Sequence, residues 1–149
     1  MTVINDPSEF TKVVKGFVAT KASGTLASTA IPVFTVAGGQ VLITSVWLLV
    51  TTSITAASTV ALQQNPTTGD TQTLVTATDL GTSDTLAGSI VGLDQGTTAA
   101  SKFLRGGRHD IDWVITIGQV EILPASANGA VTIGCTWVPL TAGATLVAA

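Results

Sequence analysis

Hydrophobic and polar positions alternate over short stretches along most of this chain, and turn-forming residues separate the stretches. A period of two places successive side chains on opposite faces, the pattern of a strand. Ile31-Pro32-Val33-Phe34-Thr35-Val36 predicts a short strand, with Pro32 at a sheet edge or strand start because it lacks an N–H. Val41 to Thr52 is the strongest candidate. Strict alternation puts Val41, Ile43, Trp47 and Leu49 on one face and Leu42, Val46, Leu48 and Val50 on the other. A strand apolar on both faces predicts cover on both sides. One cover is the opposite sheet; the other is a loop, an extra element or a neighbouring subunit. Ser58 to Gln63 alternates like a half-exposed strand, and Thr71 to Ala77 follows as another. Ser89 to Leu93 is a short candidate inside the Gly-, Thr-, Ser- and Asp-rich stretch 79–100. Asp112 to Leu123 and Ala130 to Leu140 read as two longer strands, and Ala144 to Ala149 as an apolar tail. Between Phe10 and Thr20, the spacing of Val13, Val14, Phe17 and Val18 fits a strand and a short helical turn alike.

The punctuation agrees with this reading. Ala37-Gly38-Gly39-Gln40 marks a turn. In Asn65-Pro66-Thr67-Thr68-Gly69-Asp70, proline fixes φ and glycine permits positive φ. Asn128-Gly129 predicts a tight hairpin between the last two long strands. Short strands with turns at regular intervals indicate an all-β fold, a single β-sandwich or jelly-roll-like domain. We place it over residues 10–149, after an N-terminal arm at 1–9. The chain shows no convincing helical stripe, tandem repeat or domain boundary.

Composition changes this picture in one respect. Only 10% of the 149 residues are charged, against about 25% in ordinary soluble domains. Little charge leaves a free monomer poorly protected from association. This predicts a surface that meets other copies or a larger partner. The formal net charge of -3 argues against nucleic-acid binding, which calls for a basic face. No charged residue lies between Ala22 and Gly69, yet the longest apolar run there, Val41 to Val50, is too short for a membrane helix of about 20 residues and lacks flanking Lys or Arg. The first residues have no basic region followed by an apolar core, so no signal peptide is expected.

Candidate chemistry is sparse. His109 is the single histidine, and Asp110 and Asp112 beside it do not complete a metal-ligand spacing. There is no Gly-x-Ser-x-Gly elbow and no phosphate-binding glycine loop ending in Gly-Lys. Glu9 and Glu121 are far apart in the chain, and Cys135 lies in an apolar strand as a small hydrophobe would. We expect no enzyme, no cofactor and no metal. The distinctive polar feature is a loop at 102–109, where Lys102, Arg105 and Arg108 are three of the six basic residues, joined by His109. Such a loop either keeps one surface solvated or meets an acidic partner, since the arginine fork pairs bidentately with carboxylates. Lys12 and Lys15 add positive charge near the arm. Trp47, Leu49, Trp113 and Trp137 sit in apolar strands and are expected in the core or as oligomer-interface anchors.

Two stretches carry a resemblance. One is Leu62-Gln63-Gln64-Asn65-Pro66-Thr67-Thr68-Gly69 with the Thr-, Asp- and Gly-rich middle. The other is Thr136-Trp137-Val138-Pro139-Leu140-Thr141-Ala142-Gly143-Ala144 through Val147-Ala148-Ala149. Together they resemble small β-rich virion structural proteins of tailed bacteriophages, of the head decoration, head-fibre or minor tail type. The resemblance spans residues 31–149 and departs from the family pattern around Lys102 to His109. It implies an oligomer, expected as a homotrimer, on the capsid exterior, made in the host cytoplasm and bound to the major capsid protein. Lys102, Arg105, Arg108, His109, Lys12 and Lys15 would then grip that partner. The alternatives are a tail or baseplate component and, from another class, a carbohydrate-binding β-sandwich module.

Overall fold

The computed structural model describes residues 15–81, 84–94, 101–105 and 110–149. It is an all-β sandwich. The described residues form eleven strands, β1 (Phe17–Thr25), β2 (Ile31–Ala37), β3 (Val41–Thr52), β4 (Thr59–Pro66), β5 (Gln72–Asp79), β6 (Ile90–Asp94), β7 (Ser101–Arg105), β8 (Asp110–Ile115), β9 (Gly118–Pro124), β10 (Ala130–Pro139) and β11 (Thr145–Ala148). The abundance of Thr, Val and Ile suits this, because β-branched side chains pack well on pleated surfaces.

One sheet runs β1–β10–β3, and the far edge of β3 is shared. β8 pairs with β3 along Val41–Ser45, and β6 pairs with it at Leu48 and Leu49. The second sheet runs β5–β4–β9–β2–β11. β7 joins the two sheets on one side, antiparallel to β6 and parallel to β5. On the other side β1 and β11 lie beside each other, where the Lys21 ammonium donates to the Ala149 main-chain oxygen. The inner faces enclose a single core. Ile43, Leu48, Ile115 and Ile133 of the first sheet and Phe34, Leu62, Val75 and Ile122 of the second are fully buried in it.

Several sequence expectations change here, each for an identifiable reason. Asp112 to Leu123 is not one strand. β8 ends at Ile115 and β9 begins at Gly118 in the other sheet. Gly118 has φ +147°, and a Cβ there would stand 2.4 Å from the Asn65 carbonyl oxygen, so the chain changes sheets where only glycine fits. Asn128-Gly129 does not close a hairpin, because β9 pairs with β4 and β2 while β10 pairs with β1 and β3. The link crosses between sheets, and the Asn128 side chain moors it by donating to the Ala56 carbonyl at 2.7 Å. Ala144 to Ala149 is not a loose tail: Thr145–Ala148 forms β11 against β2. The basic stretch is partly a strand. Lys102 and Arg105 belong to β7, which Phe103 anchors at 3% exposure. The predicted arm at 1–9 lies outside the described residues, as does the first part of the ambiguous segment; its remainder enters β1 at Phe17. By contrast, the Asn65–Asp70 turn does join the antiparallel pair β4 and β5.

The face assignment within β3 also changes. Opposite β10, Thr136 pairs with Ser45 but Trp137 pairs with Ile43, so Thr44 is an extra residue in the β3 ladder. This bulge shifts the alternation by one. Val41 and Ile43 therefore share the buried face with Val46, Leu48 and Val50, while Leu42, Trp47 and Leu49 stand half-buried on the other.

Candidate functional site

Residues directly opposite in a ladder share a face, and the register defines the outer surface of the first sheet. Trp47 lies opposite Gly134, and Gly134 opposite Thr20. Leu49 faces Thr132 on one side and Ile90 on the other. Leu42 faces Val138 and Val114. Ser45 faces Thr136, which faces Val18. This surface is thus built from aliphatic side chains, one indole and hydroxyls. Val18 is 65% exposed, Val114 51% and Ile90 46%. Charge reaches the face only along β8 among the described residues: Asp112 is exposed beside Val114, and the register places Asp110 opposite Ser45.

Two local devices shape this surface. At the bulge, Thr44 Oγ1 and Ser45 Oγ lie 2.7 and 2.6 Å from Thr136 Oγ1, so three hydroxyls form one cluster. One strand further along, the Trp47 indole lies across Gly134. A Cβ at position 134 would meet Cε2 and Cζ2 of the ring at 2.3 Å. Glycine in a strand interior weakens it, and here it marks a site of close approach. The indole fills the space that a side chain would take.

The outer face of the second sheet has a different chemistry. Glu121, opposite Gln63 and Pro32, is only 6% exposed. Its Oε2 accepts from Gln63 Nε2 at 2.8 Å and its Oε1 from Asn65 Nδ2 at 3.2 Å. Thr71 Oγ1 extends the network to Asn65 Oδ1 at 3.5 Å. These groups satisfy one another, as buried polar groups must. Near the end of this sheet, two adjoining clefts of about 390 and 490 Å³ share Thr67 and Ile117. Gln40, Asn65, Gln119 and threonines line them, and no described aromatic side chain does.

The predicted site residues are dispersed. Trp47 and Leu49 stand on the outer face of the first sheet. Trp137 points inward at 7% exposure and stacks on Phe17, with ring centroids 4.9 Å apart. Trp113 pairs with Ile43 and packs against the core. Those two tryptophans serve the interior. Lys15 is exposed just before Gly16. Lys102 and Arg105 are placed by their backbone in β7, while Lys12, Arg108 and His109 lie outside the described residues. Val18, Ile90 and Val114 were not among the predicted contacts. Their strands are short or interrupted, and the sequence pattern does not say which neighbour shares their face.

Among the described residues no three His, Cys, Asp or Glu side chains gather as a metal site would require. Cys135 is fully buried, and burial pushes its thiol up to about 12, with a backbone hydrogen bond from Ala19 acting in the opposite direction. A thiol so placed is protonated at neutral pH and is no nucleophile. No described helix is long and apolar enough to cross a membrane. No family model, curated protein or solved structure matches the chain.

Proposed function

We propose that this chain is a non-catalytic structural subunit of a tailed-phage virion, of the decoration or cement type on the capsid exterior. The observation that carries the reading is the outer face of the first sheet, where Val18, Ile90 and Val114 stand exposed beside Leu42, Trp47 and Leu49. Exposed apolar patches on soluble domains mark interaction sites. A face of this kind acts by adhesion: it is buried on assembly and makes no bond to a substrate. An assembled lattice that offers the full complementary site would be strengthened by mass action, because binding stabilises only the state that is bound. The resemblance in the Leu62–Gly69 and Thr136–Ala149 stretches supplies the virion context. The basic residues Lys102, Arg105, Arg108 and His109 and the N-terminal Lys12 and Lys15 are proposed to meet the major capsid protein. The carbohydrate-binding alternative gains little. Trp137 and Trp113 are turned to the core, and Trp47 stands opposite Gly134 and Thr20, with no second aromatic ring and no amide among the described residues of the rows beside it.

Cryo-electron microscopy of the native particle tests the proposal. The expected result is this domain on the outer shell with the first-sheet face covered. Density for it in the tail would favour the tail or baseplate alternative, and its absence from the particle would overturn the reading.

A further inference from the structure

We infer that the outer face of the first sheet takes a second copy of this chain, packed sheet to sheet about a two-fold axis. The inference rests on the assembly reading above and names the occupant of that surface. Three observations favour a second copy over another partner.

The first is charge. Asp110 and Asp112 both belong to β8, at the margin, while the rows that β1, β10 and β3 bring to the face carry no charged residue among the described residues. A centre free of charge offers nothing to attract a charged partner. It also meets no like-charge repulsion when it meets itself. The second is hydrogen bonding. Across β1, β10 and β3 the polar groups of the face are the hydroxyls of Thr20, Thr44, Ser45, Thr132 and Thr136 and the Trp47 indole N–H. A hydroxyl both donates and accepts, so such a surface is its own complement. An amide- or carboxylate-bearing surface would need a matched partner. The third is extent. Four strands about 4.8 Å apart, each contributing some eight residues at about 3.3 Å, present on the order of 500 Å². Two copies would bury on the order of 1,000 Å² together, the lower bound for a specific interface. Stacked sheets pack about 10 Å apart, and Val18, Val114, Ile90 and Leu49 supply the side chains to fill that space. A face that pairs with itself gives an isologous contact and closes at two copies.

Sedimentation equilibrium of the full chain tests this. The variants are the double change Val18→Lys with Val114→Lys and the control Val147→Lys, whose side chain is 55% exposed on β11 of the other sheet. Circular dichroism melting checks that each is folded. We expect a dimer for the wild type and for Val147→Lys, and a folded monomer with at least 100-fold weaker association for the double variant. A wild type that is monomeric at ~100 µM, a trimer, or a dimer untouched by the double change would overturn the inference. The outcome is separable from the assembly reading. A monomer in solution whose particle density shows this face against a different shell protein would sustain that reading and defeat the second copy.

Discussion

The two outer faces of the sandwich solve the same problem in opposite ways. On the second sheet, Glu121 is buried outside the core and held by Gln63 and Asn65, so its polar groups are matched within the chain. On the first sheet, the outer rows of β1, β10 and β3 carry aliphatic side chains, hydroxyls and the Trp47 indole, and Val18, Ile90 and Val114 remain open to solvent. One face is matched within the chain; the other leaves apolar side chains open to solvent. The contrast shows how a chain with 10% charged residues folds as a sandwich whose two outer faces differ in chemistry. Solvation has been removed from both faces, but only one has replaced it internally.

Substitutions on the second sheet should therefore damage the fold, and substitutions on the first should damage association. The largest effect is expected at Gly118→Ala. Its φ of +147° is strained for any side chain, and the new Cβ would stand 2.4 Å from the Asn65 carbonyl oxygen and 2.5 Å from Pro66 Cα. Strain and overpacking together should cost about 3 kcal/mol or more in chemical denaturation. Next is Glu121→Ala, which leaves the Gln63 and Asn65 amides without their acceptor. A loss of about 2 kcal/mol is expected, with the oligomer state unchanged in the folded protein. Gly134→Ala probes the first sheet locally. The Trp47 ring must leave its seat 2.3 Å from the new Cβ, so tryptophan emission should shift to the red and stability fall by about 1–2 kcal/mol.

The shared core provides a reference independent of both faces. The Cys135 thiol is raised from 9.0 to about 12 by burial. Its contribution is thus fully present below pH 9 and is lost as pH rises toward 12, because only the unfolded chain gives up the proton in that window. At pH 10 the loss should be on the order of 1 kcal/mol relative to pH 8, and Cys135→Ala should remove that part of the alkaline dependence in urea unfolding. The smallest stability change belongs to Val18→Lys, within about 0.5 kcal/mol. Its effect should appear in association alone. A large loss of folding stability there would erase the distinction between the faces.

Much of this architecture was legible in the residues. Val60 and Leu62, and Val131 and Ile133, recur at a period of two and are buried as that pattern predicts. The Asn65–Asp70 turn carries its own chemistry and does join β4 to β5. What could not be read is the three-dimensional partnering. Asn128-Gly129 has the composition of a hairpin but bridges two sheets, because turn residues fix a local bend and not the ladder beyond it. Gly118 inside an apolar run was a usable signal for the break between β8 and β9, since an isolated glycine in a strand marks a bulge or close approach. The adjacent hydroxyl residues Thr44 and Ser45 were a weaker signal for the bulge that exchanges the faces of β3. The candidate surface was legible only in part. Trp47 and Leu49 lie on it, but Val18, Ile90 and Val114 join it through register, which depends on strands far apart in the chain.

Hydroxyl-radical footprinting across a dilution series tests most directly the claim that the first-sheet face is the contact surface. Oxidation of Leu42, Trp47, Val114 and Val18 should fall together as concentration rises. Val147 and Leu140, exposed elsewhere, should stay constant and serve as internal standards. Protection confined to Val147 and Leu140, or no protection at any position at the highest concentration, would contradict the account.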